Sequence, residues 1–291
     1  MEDFSADYFA SRKKYVTLRP ENFFCMKRYY FLLIVISLMS CKTKNPPSEN
    51  VYSANGVEFK MIYVEGGTFV MGTNDTIDAY PRERPAHQVT VPSFYMAETE
   101  VTQALWKAVM GSNHSYNQTN EQLPVENVTW DECQQFLAKL NEMTGKQFGL
   151  PTEAEWEWAA IGGCKSHGYM FSGSDNPLEI GWIMDNGQGT SHKVKGKKPN
   201  ELGIYDMTGN VWEWCQEWYL SDYYSISPEY DPQGPPADSE LLADTLLCHP
   251  LRGGGFGTVS NRCRNTHRVG IATTITDYNY GLRLVLRQFT K

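Results

Sequence analysis

Long apolar runs are almost missing from this 291-residue chain. Only residues 29–39 approach membrane character, so a polytopic membrane protein is excluded. Basic charge is also short: 26 Lys+Arg against 34 Asp+Glu leave a formal charge of −8, which disfavours nucleic acid as a partner. Internal repeats and low-complexity blocks are absent from residue 57 onward. What is present is a 41% hydrophobic, 13% aromatic composition, more than a disordered tail, a collagen-like fibre or a coiled coil carries. One globular domain with a substantial core is the expectation.

The amino-terminal stretch reads as an address. Residues 26–41, MKRYYFLLIVISLMSC, join a basic start (Lys27, Arg28) to an apolar run too short for a bilayer of roughly 30 Å. The closing Leu38-Met39-Ser40-Cys41 resembles the lipobox of bacterial lipoprotein signal peptides, which implies lipidation at Cys41 and a lipid-anchored place at the cell envelope. Residues 1–25 fit nothing that follows, so Met26 is the expected start of translation. Residues 42–57, polar and Pro-containing at their start, read as a linker. Removing residues 1–41 leaves 20 basic against 30 acidic residues, a charge of −10, and five cysteines. An odd number in an oxidising compartment leaves at least one free thiol or intermolecular bond.

Beyond residue 57 short elements follow one another. VEFKMIYV (57–64) reads as a strand, Gly66-Gly67 as a turn and 68–71 as the return strand, with 88–91 another strand. Thr102 opens a helix that Gly111 closes. Thr129-x-x-Glu132 is a capping box for 130–143, ended by Gly145, and Thr152-x-x-Glu155 caps a short helix through Ala160. After Gly162 the chain is mostly Gly, Asn, Asp, Pro and aromatics, held by packing or ions rather than by long elements. The predicted class is α+β with low regular structure. The run 193–198 (KVKGKK) reads as a solvated loop and the Tyr- and Pro-rich 222–236 as a packed one.

An ordered set of segments then resembles one family. They are Val64-Glu65-Gly66-Gly67-Thr68-Phe69, Glu83-x-Pro85-x-His87, Glu98-Thr99-Glu100-Val101-Thr102, Leu150-Pro151-Thr152-Glu153-Ala154-Glu155-Trp156-Glu157, Gly209-Asn210-Val211-Trp212-Glu213-Trp214, Leu251-Arg252-Gly253-Gly254 and Gly281-Leu282-Arg283. Across about residues 58–287 they resemble the formylglycine-generating enzymes, or sulfatase-modifying factors. The resemblance implies a single compact domain over 58–291, related to C-type lectins and often carrying calcium. It also implies an oxidase in which two thiolates hold copper(I), and a substrate groove at positions matching Arg252, Gly255 and Thr258.

The reactive positions depart from that pattern. The two cysteines sit six and eleven residues after the Arg; here the sixth is Thr258 and the eleventh is Cys263. A hydroxyl is a poor ligand for Cu(I), so copper is not expected, and Cys263 reads as a structural or disulfide cysteine. Gly255 replaces the family's Ser, and Asn265 and His267 replace its paired Arg residues. The six histidines show no metal-triad spacing. Calcium is expected at positions matching the family's site, namely Asp206, the Gly209 and Val211 carbonyls and Glu213, with Asn186 a candidate at a second site. The expected function is an envelope lipoprotein binding a peptide, protein or glycan partner. The alternatives are an oxidoreductase using Cys263 or non-haem iron, and a structural component of an envelope machine.

Overall fold

The structure, a computed structural model, describes residues 50–243 and 247–287, all within one compact unit. The leader, the signal segment, Cys41 and most of the expected linker lie outside the described residues. Strand β1 (Val51–Ala54) turns back into β2 (Val57–Val64), with Val51 opposite Lys60. Residues 51–57, read as linker from composition, are therefore part of the domain, because a two-residue Asn55-Gly56 turn with positive φ at both positions closes a hairpin.

Next come β3 (Gly67–Met71), β4 (His87–Val91) and β5 (Phe94–Ala97). Strand β3 does not return along β2. It pairs with β4 as a separate two-stranded ribbon, Met71 opposite His87, while β2 takes β5 as its second neighbour. The fully buried β5 (Phe-Tyr-Met-Ala) explains the choice: a strand apolar on both faces belongs in a sheet interior. Its other neighbour is β11 (Val285–Arg287), completing the five-stranded order β1-β2-β5-β11-β6, where β6 is Phe148–Gly149.

Three helices obey their caps. In α1 (Gln103–Met110), Thr102 accepts the Leu105 amide and Gly111 turns out at φ 84°. In α2 (Trp130–Thr144) and α3 (Glu153–Ala160) both halves of each capping box form, a device in which each N-cap hydrogen bond stabilises by about 1 kcal/mol. Helices α1 and α2 meet through parallel Trp106 and Phe136 rings, 4.9 Å apart. A short α4 (Pro177–Ile180) precedes the second sheet, ordered β10-β7-β8-β9 from β7 (Trp212–Trp214), β8 (Cys248–Arg252), β9 (Arg268–Ala272) and β10 (Tyr280–Gly281). The loop 222–236 packs only in part: Tyr223 and Tyr224 are buried and Glu229 and Asp231 hydrogen-bond Thr90 of β4, while Ile226 and Tyr230 stay exposed. No helix among the described residues is long and apolar enough to cross a membrane.

Candidate functional site

The Arg-Gly-Gly segment leaves β8 through Gly253 and Gly254, at φ 87° and 80°. A Cβ on Gly254 would lie 2.3 Å from Cys263 Sγ, so glycine is what lets the loop close over that sulfur. The Cys263 thiol is fully buried among Phe171, Ile180 and Ile183. It donates weakly to the carbonyls of Val259 (3.6 Å) and Thr258 (3.8 Å). The Thr258 hydroxyl accepts the Gly255 amide at 3.0 Å, so it is committed to the turn. Burial pushes the Cys263 thiol up to about 12. At neutral pH it is a thiol, and the thiolate that metals and electrophiles need is scarce.

All five described cysteines are unpaired, so the disulfide reading of Cys263 gives way to the structural one. Cys248, at the start of β8, forms no pair with it.

Arg252 is corrected more sharply. Placed by resemblance in a groove, it is 0% exposed. Its guanidinium pairs with Glu157 and donates to the carbonyls of Asn265, Thr266 and His267. Gly255 is buried and Thr258 is 8% exposed, so all three expected groove positions belong to the interior.

Two further buried arginines repeat the arrangement: Arg268 pairs with Glu153 and Arg283 with Glu213. Buried guanidiniums are tolerated because paired carboxylates and carbonyl acceptors replace their lost hydration.

The positions beside Cys263 form a closed polar knot. Glu83 accepts from His267 Nδ1 at 3.0 Å, Arg264 Nη2 at 2.9 Å and the Thr266 hydroxyl at 2.8 Å. Burial alone would raise Glu83; these bonds, the Tyr80 amide and the Arg264 charge instead hold it at about 2. Asn265 donates to the Tyr169 carbonyl at 3.1 Å. His249 lies between Trp130 and Trp218, with centroids at 3.8 and 4.2 Å. Among the described residues no three His, Cys, Asp or Glu side chains gather as a metal centre.

The expected calcium positions rearrange. The Glu213 carboxylate is taken by Arg283 (2.7 Å) and by Trp156 Nε1 (2.7 Å). Asn186 closes its own turn, accepting from Ile183 N at 2.8 Å and donating to the Gly181 carbonyl at 3.0 Å. Asp206, at φ 60°, accepts the Lys195 amide on Oδ2 while its buried Oδ1 has no partner.

Sequence reasoning missed Glu100, whose buried Oε1 is likewise unpartnered and whose other oxygen faces Asn210 Nδ2 at 3.3 Å. Burial and the neighbouring Asp206 push Glu100 well above the carboxylate range, and burial lifts Asp206 to about 6. Gly209 lets the loop approach Trp182, where a Cβ would lie 2.1 Å from the carbonyl oxygen. Two orphaned carboxylate oxygens beside this loop fit a hard cation. A lone thiol beside a committed hydroxyl does not fit Cu(I).

The family model described as a sulfatase-modifying factor enzyme 1-like domain matches residues 49–288. A chaperone protein, LppX, of Paenibacillus barcinonensis is 33% identical over 241 residues, covering 65% of this chain and 80% of that protein. A formylglycine-generating enzyme of Streptomyces coelicolor is 32% identical over 166 residues, covering 53% of this chain; the match spans 48% of the enzyme's length. Among solved structures, Treponema denticola variable protein 1 superposes with a TM-score of 0.73 and 31% identity, over 84% of this chain and all of that one.

Proposed function

We propose, for a chain that belongs to the formylglycine-generating enzyme (sulfatase-modifying factor) family, that it is a binding or scaffold member without copper oxidase chemistry. One observation carries the reading: the only sulfur at the reactive positions is Cys263, buried, protonated and bonded to backbone carbonyls. The chemistry of two-sulfur copper has nothing to build on there. The name chaperone carried by a relative supports a non-catalytic role. The signal-like segment ending at Cys41 supports a lipid anchor at the cell envelope. Anchoring would leave the domain free to meet a peptide, protein or glycan.

Calcium belongs to the same reading, as a structural ion. Asp206 and Glu100 would hold it with their unpartnered oxygens, beside the Gly209 and Val211 carbonyls of the adjoining loop. The ion supplies positive charge to a buried acidic pair and no redox step. The deciding experiment incubates the purified chain with a Cys-x-Pro-x-Arg peptide, copper and O₂. Unchanged peptide is expected; conversion of its cysteine to formylglycine overturns the reading.

A further inference from the structure

The β3–β4 ribbon has an extended neighbour along one edge only. On the β4 side, Thr90 N donates to the Glu229 carbonyl at 2.6 Å and Asp231 N donates to the Thr90 carbonyl at 2.8 Å, a parallel bridge centred on Tyr230. Both main-chain groups of Thr90 therefore point away from β3. Its partner across the ribbon is Thr68, and two residues on Val70 faces Gln88. In an antiparallel pair such non-hydrogen-bonded positions turn their N–H and C=O outward on both strands. The outer edge of β3 thus presents the amides and carbonyls of Thr68 and Val70, and these four groups have no partner among the described residues.

That edge is open and unguarded. Val70 is 64% exposed and Thr68 is exposed as well, while the alternating Phe69 and Met71 are buried on the other face. Phe69 lies against Trp158, centroids 5.3 Å apart, so the strand is anchored from behind. Edge strands are commonly blunted by a charge, a proline or a bulge. Gly67–Met71 (GTFVM) has no charge and no proline, and its five-residue register with β4 is unbroken. The Thr68 and Thr90 hydroxyls satisfy each other at 2.7 Å, which leaves methyl groups and Val70 to meet a neighbour; uncharged β-branched side chains pack best against such a surface. Amides and carbonyls alternating at strand spacing fit an extended polypeptide. Pairing with a second copy would bring two chains of charge −8 together over a five-residue edge, too little for the roughly 1,200 Å² that a stable interface buries.

We propose that the free edge of β3 is a docking site for an extended, uncharged segment of a partner polypeptide, rich in valine and threonine, which adds a strand to the ribbon. The inference rests on the reading of the chain as a binding protein and names its partner's chemistry. The segment's carbonyls accept the Thr68 and Val70 amides, and its amides donate to the Thr68 and Val70 carbonyls. Glu229 and Asp231 already do the same for Thr90 on the opposite edge.

The test titrates the full chain with acetyl-Lys-Thr-Val-Thr-Val-Thr-Lys-amide, reading binding by calorimetry and amide protection at residues 68–70 by hydrogen-exchange NMR. The control peptide has both valines replaced by proline and keeps the solubilising lysines. Saturable binding with slowed exchange of the Thr68 and Val70 amides is expected, and the control should not bind. Val70→Lys, which alters only an exposed side chain, and Thr68→Pro, which removes an outward amide and leaves the ladder to β4 in place, should each weaken binding about tenfold. No saturation at millimolar peptide, unchanged exchange at residues 68–70, or equal binding of the control overturns the inference. So does protection of these amides that grows with protein concentration without peptide, which would give the edge to a second copy. The peptides contain no cysteine, so the result is independent of the oxidation assay: turnover there with binding here removes only the non-catalytic reading, and the converse removes only this inference.

Discussion

The indole N–H of Trp156 donates to Glu213 Oε2 at 2.7 Å, linking the two Trp-Glu-Trp triplets of the sequence. Each triplet buries its glutamate against an arginine: Glu157 against Arg252 and Glu213 against Arg283. The junction joins α3 to β7, and through Arg283 it reaches the Ala97 and Tyr205 carbonyls at 3.0 and 2.8 Å. Residues of the segments that carry the family resemblance thus form the polar frame of the fold.

Breaking that frame is expected to be severe. Glu213→Gln leaves the fully buried Arg283 without its countercharge, at a cost of about 3–5 kcal/mol. Trp156→Phe removes one hydrogen bond to a charged group and costs about 1.5–3 kcal/mol. Denaturant unfolding of both single variants and the double variant measures their coupling; additive losses would contradict the linkage.

Gly254→Ala is predicted to destabilise by more than about 2 kcal/mol, since the new Cβ meets Cys263 Sγ at 2.3 Å and sits at φ 80°. Cys263→Ala in the same chain should recover part of the loss by removing the sulfur. Recovery is read from unfolding midpoints, and its absence would mean that the loop does not close on Cys263.

Stability should fall as pH rises from about 6.5 to 8. Burial, then the neighbouring Glu153 charge, lift Glu217 from 4.5 to about 8. The folded chain keeps a proton that the unfolded chain has released above about 4.5, so this contribution is complete below that pH and is lost on the way to 8. His249, held down at about 4 by burial, acts oppositely, but only between about 4 and 6.5. Thermal unfolding in EDTA across pH 6.5–8 should show a slope that Glu217→Gln flattens. An unchanged slope in the variant would assign the effect elsewhere.

Calcium is expected to raise the melting temperature of the EDTA-treated chain, with the shift growing with concentration as binding to the folded state requires. Glu100→Gln and Asp206→Asn should each reduce that shift. A calcium response untouched by both variants would place the ion elsewhere, and no response at all would remove it from the account.

Much of the fold was legible because its signals are local. Thr102, Thr129 and Thr152 cap the helices they announce, and Gly111 and Gly145 end them. Strand β2 runs over the expected residues. Pairing partners were not legible: β3 goes to β4 because β5 claims the edge of β2, a competition settled by tertiary burial. The site was legible in what it lacks, since Thr258 stands where a thiolate is needed. Burial reversed the rest. Arg252 and Glu213 look functional in sequence, yet they neutralise each other's kind in the core, and no spacing rule announces that. The unpartnered Glu100 lies in the segment Glu98–Thr102, whose neighbours in sequence say nothing of Asp206 across the fold.

Cys263 is a solitary thiol, buried among Phe171, Ile180 and Ile183. Anaerobic titration with Cu(I) against a competing chelator, on the wild-type chain and Cys263→Ser, measures that directly. The same weak retention of copper by both is predicted. Tight stoichiometric binding by the wild type that the Cys263→Ser variant loses would contradict it.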